Sequence, residues 1–317
     1  MKIFVTGATG VLGRRTVARL VEAGADVTGV GRNVEHGRAL LDLGATPAVV
    51  SLFDRDALAA AVAGHKVVYN LATAIPTGER IASPDAWEDN HRIRREGSRN
   101  LVDAALHAGA ERYIQESIAL LYADGGDTLL DESAAVAATN FTESALTAES
   151  EAARFAQFGG VGIALRFGAF YGFDSRHSLE TVEAARRGVF AVPGPADAYF
   201  PSVTTDDAAS AAVAALRAPG GLYNAAEEPL TRADHADALA QALGIGLLRM
   251  PPVPAGFPGQ LSPLLRSLRV TSQLFKSLTG WQPRFPNART GWPFVIAALH
   301  GRKEASRPLQ TAQGGPH

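Results

Sequence analysis

The sequence predicts an α/β protein, with a doubly wound parallel sheet and a smaller C-terminal lobe. Up to about Gly172, short β-branched segments alternate with longer Ala- and Leu-rich segments of helical periodicity. A glycine-rich turn joins the first strand segment to the first helix segment. Beyond Gly172 the alternation ends, and Pro and Gly become frequent. Because alternating strands and helices form parallel sheets with right-handed crossovers, helices are expected on both sheet faces.

The individual elements follow from local composition. β-branched and aromatic residues favour strands, and Gly24 follows the first helix, as glycine commonly does at a helix end. The predicted strands are residues 3–6, 26–30, 46–50, 66–71, 112–115 and 162–166. The predicted helices are residues 11–22, 35–43, 56–62, 86–108 and 144–158, then 206–217, 232–243 and 261–278. We therefore expect a first domain of residues 1–171, to which about 201–228 return, a second lobe of 172–300, and a disordered tail of 302–317.

Composition excludes several classes of protein. The 317 residues include no cysteine, which excludes disulfides, thiolate metal sites and a cysteine nucleophile. A formal net charge of −2 argues against a nucleic-acid partner, and the basic run at 92–95 is interpreted as a solvated helix face. The eight histidines are scattered, so no metal site is expected. Neither a signal-peptide pattern nor a membrane-length apolar segment is visible, so we expect a cytoplasmic protein without a membrane partner.

A glycine-rich loop, TGATGVLG, connects the first strand to the first helix. Gly7 permits the tight turn, Gly10 lets a diphosphate approach the backbone, and Gly13 allows close packing of helix and strand. The amides that open the helix then bind the anion, assisted by the helix dipole. The first domain is therefore predicted to be a Rossmann-type NAD(P)-binding domain. The expected cofactor contacts in the loop are Thr6, Gly7, Thr9, Gly10, Val11, Leu12 and Gly13.

The end of the second strand indicates which dinucleotide is preferred. An NAD site usually has Asp or Glu here, whereas this sequence has Gly31 followed by Arg32. Because a guanidinium forms charge-assisted hydrogen bonds with phosphate, we expect NADP(H), with NAD as the alternative. Asp54, after the third strand, is expected to contact the adenine. The end of the fourth strand and the residues that follow it are expected to lie against the cofactor, through Leu71, Ala72 and Thr73.

Motifs along most of the chain resemble those of the extended and atypical short-chain dehydrogenases/reductases, the NAD-dependent epimerase/dehydratase group. The TGxxGxxG loop is the form that this group uses. Further similar segments are VYNLA at 68–72, RYIQES at 112–117 followed by Tyr122, RFGAFYG at 166–172, Val203 with DDA at 206–208, and TGWQP at 279–283. The resemblance extends to about His300. It implies the fold and a nicotinamide cofactor, but no particular substrate.

The catalytic pair of that family is absent from this chain. The resemblance implies a Ser or Thr together with Y-x-x-x-K at the start of the sixth helix. In the family, the tyrosine exchanges a proton with the substrate oxygen, while the lysine lowers the tyrosine pKa and holds the nicotinamide ribose. One register places Phe141 and Ala145 at these positions, and a second places Glu143 and Thr147 there. Neither register supplies a phenol or an ammonium group.

A proton donor could instead come from another side chain near the carboxyl edge of the sheet. The candidates are Ser117, Tyr122, Glu143, Tyr171 and His177. Ser117 lies one residue before the family's serine position, which holds Ile118. Each candidate also has a structural interpretation: the serine as a strand-end hydrogen-bonding residue, the tyrosines as packing residues, Glu143 as a helix N-terminal carboxylate, and the histidine as a solvated loop residue.

These observations predict an NADP(H)-dependent oxidoreductase of the atypical short-chain type. Its small organic substrate would bind between the domain and the lobe, at the carboxyl edge of the sheet. Two alternatives stay open: a non-catalytic NADP-binding sensor or regulatory protein, because the Tyr and Lys are missing, and a redox-neutral epimerase or dehydratase. Homodimers are common in the family that the chain resembles, so a homodimer is one oligomeric state to expect.

Overall fold

The structure is a computed structural model that describes residues 1–305. Its strands are β1 Lys2–Thr6, β2 Asp26–Val30, β3 Thr46–Ala48, β4 Val67–Asn70, β5 Arg112–Ile118, β6 Leu129–Leu130, β7 Val161–Phe167, β8 Ala169–Tyr171, β9 Tyr199–Phe200, β10 Ser202–Thr204, β11 Gly221–Ala225, β12 Leu230–Thr231 and β13 Arg269–Val270. Its α-helices are α1 Gly13–Glu22, α2 Val34–Asp42, α3 Arg55–Val62, α4 Glu88–Arg92, α5 Ser98–His107, α6 Glu143–Gln157, α7 Arg176–Arg186, α8 Thr205–Ala214, α9 Arg232–Leu243, α10 Gln273–Thr279 and α11 Ala288–Ala305.

Seven parallel strands form the central sheet in the order β11-β7-β5-β4-β1-β2-β3. Strand β1 has β2 on one side and β4 on the other, with Val5 paired to Gly29 and to Tyr69. The chain therefore winds outward in both directions from β1. In such sheets the ligand lies outside the carboxyl ends of the strands, where the winding reverses. The predicted doubly wound fold is confirmed, and it places the candidate site above the ends of β1 and β4.

Helices cover both faces of this sheet. On one face, Val17 and Leu20 of α1 pack with Ala208 of α8 in a buried apolar cluster. On the other face, helices α3, α5 and α6 supply a second cluster that includes Leu58 and Phe155. Strands buried on both faces must be nearly continuously apolar, which explains the uninterrupted β-branched segments in the sequence.

A smaller lobe follows β8, and its core is made by helices α7, α9 and α11. Val182, Leu239 and Val295 pack there with Trp292 and Tyr171. Two-stranded sheets join β10 to β8, β12 to β9 and β13 to β6. Between the helices of this lobe, the chain returns to the central sheet and adds β11 beside β7.

The predicted helix at 261–278 is wrong. The segment instead forms a 3₁₀ turn Gly259–Leu265, strand β13 and the short helix α10. Pro263 lacks a backbone donor. In addition, the buried guanidinium of Arg232 binds the carbonyl oxygens of Leu264 and Arg266 at 2.7 and 3.1 Å, so these oxygens point away from a helical ladder. A contact with a residue distant in sequence therefore overrides the local periodicity.

Two other differences concern helix continuity and the C-terminus. The predicted helix at 86–108 contains a π-helical turn, Ile93–Gly97, between α4 and α5. Helix α11 was not predicted, and it extends to Ala305, past the start of the predicted tail at 302; positions 306–317 lie outside the described residues. Within the described part of the chain, no helix is both long and apolar enough to cross a membrane.

Candidate active site

The glycine loop lies at the carboxyl end of β1 and leads into α1. Gly7 has a φ of +67°, and a Cβ there would lie 2.4 Å from the backbone of Leu71. A Cβ on Gly13 would lie 2.0 Å from the carbonyl oxygen of Gly7. Gly10 differs, because it is exposed and an added Cβ would meet only that same oxygen, at 3.3 Å. Gly7 and Gly13 are therefore required by the fold itself, whereas Gly10 keeps the surface above the loop open.

The start of α1 leaves backbone donors available for an anion. The N-cap residue, Leu12, makes no side-chain hydrogen bond to the first turn. Within residues 1–305, the backbone amides of Val11 and Leu12 donate to no protein acceptor. Such amides at a helix N-terminus bind phosphate, with the helix dipole behind them. An open loop with unpaired amides therefore fits the diphosphate of a dinucleotide.

A buried polar network joins the strand ends beneath this loop. The Thr6 hydroxyl donates to Asn70 Oδ1 at 2.8 Å. The amide of Asn70 donates to Ser98 Oγ and to Gln115 Oε1, both at 3.0 Å. This network joins β1, β4, β5 and α5. In this structure the Thr6 hydroxyl therefore helps to hold the strand ends together beneath the glycine loop. Leu71 is buried after Asn70, whereas the next two positions, Ala72 and Thr73, are partly exposed and exposed, respectively.

Two predicted contacts for the adenosine half lie on the surface beyond β2 and β3. Arg32 is exposed and forms no hydrogen bond or ion pair with any residue that the structure describes. The next residue, Asn33, caps α2 by accepting from the His36 amide at 2.8 Å, so no carboxylate occupies the tip of β2. Asp54 Oδ1 caps α3 by accepting from the Ala57 amide at 3.1 Å. Its predicted contact with adenine stays a prediction.

The two registers proposed for the tyrosine and lysine positions differ in their surroundings. Phe141 is buried just before α6, edge-to-face against Trp87 with ring centroids 4.4 Å apart. Ala145 is fully buried. Glu143 of the other register is exposed and pairs with Arg95. The first register therefore faces the interior, and neither of its side chains can donate a proton.

Ser117 and Tyr122 belong to one hydrogen-bonded network inside the domain. Ser117 Oγ donates to Glu149 Oε1 at 2.5 Å, and the same carboxylate binds Arg166 at 2.7 and 2.8 Å. The Tyr122 hydroxyl donates to Asn224 Oδ1 at 2.8 Å, with the Arg166 guanidinium 4.8 Å from its ring centroid. Burial raises the pKa of Tyr122. Both hydroxyl groups thus have structural partners in this state.

The remaining candidates do not join that network. Tyr171 donates to a carboxyl oxygen of the buried Glu227 at 2.9 Å, and burial raises the tyrosine pKa well above its usual value. His177 Nε2 lies 3.2 Å from the Pro76 carbonyl oxygen. With Glu143 at the surface, the five candidates do not converge into one hydrogen-bonded proton-transfer group.

Glu227 makes the stability of the fold sensitive to pH. Burial raises its pKa from 4.5 to about 8. Between these values the folded state keeps a proton that the unfolded state releases, so the free energy of unfolding falls as pH rises. The slope is at most about 1.4 kcal/mol per pH unit for one such group. We expect Glu227→Gln to flatten the decline of the melting temperature between pH 5 and 8.5.

The matched control is Glu228→Gln, because Glu228 is the adjacent carboxylate and is exposed. Thermal melts of the wild type and both variants across this pH range provide the measurement. If the Glu227 variant keeps the wild-type slope, then the buried carboxyl does not hold its proton near neutral pH.

The sequence analysis did not predict the burial of Arg94. The basic run at 92–95 was predicted to be a solvated helix face, yet the Arg94 side chain is only 2% exposed and pairs with the buried Glu116. In the folded chain, Arg94 lies four positions after the buried Asn90 and three before the buried Gly97. These positions follow the inward face of the helix.

Comparisons with known proteins identify relatives. The sequence model that describes the NAD dependent epimerase/dehydratase family matches residues 3–226 of this chain. The 3-diazoavenalumate denitrifying reductase of a Streptomyces species is 30% identical over 311 residues, which cover 92% of this chain and 99% of that protein. The 4-hydroxy-2-methyl-3-oxo-4-farnesyl-3,4-dihydroquinoline-1-oxide ketoreductase of Stigmatella aurantiaca is 32% identical over 134 residues, 42% of this chain and 38% of that protein.

Solved structures agree in fold. MoeE5 in complex with UDP-glucuronic acid and NAD superposes with a TM-score of 0.77 at 20% identity, covering 96% of this chain and 100% of that chain. The Thermus thermophilus UDP-glucose 4-epimerase complex with NAD gives 0.77 at 20% identity, covering 95% and 99%. At this level of identity, the similarity establishes the architecture alone.

Proposed function

This chain belongs to the NAD dependent epimerase/dehydratase family, and from that premise we propose that it is an NADP(H)-dependent oxidoreductase without a tyrosine–lysine proton relay. The proposal rests on two features that lie at the same edge of the sheet. The glycine loop is open for a dinucleotide, while the register that faces the interior has Phe141 and Ala145, which we take as the relay positions. Hydride transfer needs a positioned nicotinamide, but it does not by itself need a phenol or an ammonium group.

The cofactor contacts follow from the site. The amides of Val11 and Leu12 would hold the diphosphate above Gly10. Arg32, exposed at the end of β2, would pair with a 2′-phosphate, and for this reason we propose NADP(H) over NAD(H). When bound, the reduced nicotinamide supplies the hydride. The protein then contributes orientation, exclusion of water and electrostatics.

Without the tyrosine–lysine relay, reactions that need a proton donor or acceptor at this position are not supported. Reduction of a ketone adds a hydride and a proton, and epimerisation through a ketone moves a proton to and from a hydroxyl. Phe141 and Ala145 can do neither. Reduction of an arenediazonium ion differs: the ring carbon gains a hydride as its bond to nitrogen breaks and dinitrogen leaves. The equation, Ar–N₂⁺ + NADPH → Ar–H + N₂ + NADP⁺, balances without any proton.

We therefore propose an aromatic diazo compound as the substrate class. The similarity to 3-diazoavenalumate denitrifying reductase supports this class, because it covers nearly the whole of both chains. The side chains at the relay position also support it. Trp87, Phe141 and Leu261 form a buried apolar cluster, flanked by half-buried Ile81 and Phe257. The half-buried side chains at its edge suit contact with an aromatic ring, and excluding water protects a diazonium group from hydrolysis.

The test measures hydride transfer and its stoichiometry. The protein is incubated with arenediazonium carboxylates or with ketones and enones, each with NADPH deuterated at nicotinamide C4. We expect one equivalent of dinitrogen per NADPH oxidised, deuterium at the ring carbon, and no net proton uptake in weakly buffered solution with pH indicator. The Gly10→Val variant measures the uncatalysed background.

Two results would contradict the proposal. Turnover of ketones with proton uptake would require a proton donor that the Phe141 and Ala145 register does not provide. Tight NADPH binding with no turnover of any compound would favour the sensor interpretation, in which the missing relay marks a non-catalytic protein.

A further inference from the structure

The buried ion pair of Arg94 and Glu116 has no role in the chemistry described so far. Arg94 Nη2 lies 2.8 Å from both carboxylate oxygens, and the two side chains are 2% and 4% exposed. Glu116 directly follows Gln115, which pairs with Asn70 across β5 and β4. The ion pair therefore lies at the carboxyl ends of these two strands, on the ligand side of the sheet.

Donors remain unpaired around this ion pair. Arg94 Nε and Asn90 Nδ2 are buried, and neither has a hydrogen-bond partner among residues 1–305. Asn90 does use its oxygen, which accepts from the Ala74 amide at 3.0 Å and so ties down the segment after β4. A buried donor without a partner destabilises the folded protein, and more so when it is charged, so such groups require an explanation. Arg94 and Asn90 lie four positions apart on the helix, so their two unpaired donors indicate that a hydrogen-bond acceptor is missing beside them.

The backbone here is also unusual. Arg94 lies in the π-helical turn Ile93–Gly97 that interrupts the α4–α5 helix. Such turns occur frequently at functional sites, because the extra residue redirects a side chain. Helix α6 packs beside the same turn, and in α4, just before the turn, His91 Nδ1 lies 2.9 Å from Ser144 Oγ. Its neighbour Ala145 is buried and carries no polar group, so α6 offers no cation at this position.

The direction of a bound dinucleotide identifies the acceptors. Its diphosphate lies at the glycine loop after β1, and Arg32 after β2 marks the adenosine side. The other half of the molecule then extends over β4 and β5, where the ion pair lies. That half, the nicotinamide mononucleotide, carries phosphate oxygens and ribose hydroxyl groups, all of which accept hydrogen bonds.

We propose that Arg94, held in place by Glu116, donates hydrogen bonds to the nicotinamide mononucleotide half of the cofactor. The inference rests on the proposed NADP(H) binding. Glu116 offsets the charge of the buried guanidinium and leaves its Nε free for the ligand. The cation that holds this half therefore comes from the π turn of the α4–α5 helix, not from α6.

The experiment compares two ligands by calorimetry. NADPH contains both halves, whereas adenosine 2′,5′-bisphosphate lacks the nicotinamide mononucleotide half. The main variant is Arg94→Met with Glu116→Leu, because replacing both partners of a buried ion pair by apolar residues of similar size leaves no stranded charge. We expect NADPH to bind about tenfold or more weakly, with the affinity for the bisphosphate unchanged.

Two further variants complete the comparison. Arg92→Met is the matched control, since Arg92 is an exposed arginine on the same helix; it should leave both affinities at the wild-type value. Arg94→Lys retains the ion pair but removes the Nε donor, so it should also weaken NADPH alone, and it replaces the double variant if that protein fails to melt cooperatively.

Unchanged NADPH affinity in the folded Arg94 variants would overturn the inference. Equal weakening of both ligands would also overturn it, because the ion pair would then act on the whole domain. If the proposed cofactor itself is wrong, the wild type will show no heat with NADPH or NADH, and that result is separate from any effect of the variants.

Discussion

Gly10→Val should abolish NADPH binding while the protein still folds. An added Cβ at this exposed position meets only the Gly7 carbonyl oxygen, at 3.3 Å, so the backbone needs little adjustment. The isopropyl group would instead occupy the space in which the diphosphate approaches the amides of Val11 and Leu12. Losing two charge-assisted hydrogen bonds corresponds to at least about a hundredfold loss of affinity. Calorimetric titration with NADPH measures it.

The control is Gly246→Val, because Gly246 is exposed and an added Cβ there meets nothing within 4 Å. Its affinity for NADPH should equal that of the wild type. Both variants should melt as cooperatively as the wild type. A Gly10 variant that binds NADPH normally would show that the diphosphate does not rest on this loop, and the proposed cofactor site would then be wrong.

Arg32→Ala should weaken the binding of NADPH much more than the binding of NADH. Arg32 is exposed and has no partner within residues 1–305, so its removal should not disturb the fold. A guanidinium–phosphate hydrogen bond contributes roughly 1.5–3 kcal/mol. We therefore expect NADPH to bind about ten- to a hundredfold more weakly, whereas NADH, which has no 2′-phosphate, should be nearly unaffected. The difference should shrink as salt concentration rises.

Arg186→Ala serves as the control, because Arg186 is an exposed arginine on α7 in the other lobe. It removes the same charge from the protein at a distant place. Equal weakening of NADPH and NADH by the Arg32 substitution would exclude contact with a 2′-phosphate. Wild-type preference for NADH would reverse the proposed cofactor choice even before the variant is made.

Much of the fold could be predicted, because the patterns that indicate strands, helices and the glycine loop lie within short segments of the sequence. The strand bounds 26–30 and the helix bounds 232–243 were predicted as the structure has them. The spacing of the glycines indicated both the loop and its ligand class. The predicted helix at 261–278 is wrong, because Arg232 binds the carbonyl oxygens of Leu264 and Arg266, which lie 32 and 34 residues later in the chain.

The candidate site could be predicted only in part. The absence of a phenol and an ammonium group was evident from the sequence, but two registers fitted it equally well. Packing against Trp87 places Phe141 inside and leaves Glu143 at the surface. The candidates Ser117 and Tyr171 were named for their chemistry, and neither sequence position indicated the carboxyl group, Glu149 or Glu227, to which its hydroxyl donates.

By itself, the sequence determined the alternating strands and helices of the first domain, the nucleotide loop and the absence of a Y-x-x-x-K pair, because each depends on neighbouring residues. Only the tertiary structure decided which register of α6 faces inward and that Arg94 is buried with Glu116. Burial and pairing depend on side chains brought together from distant segments. The same sequence pattern is compatible with a solvated arginine or a buried one, and the contact with Glu116 makes the difference.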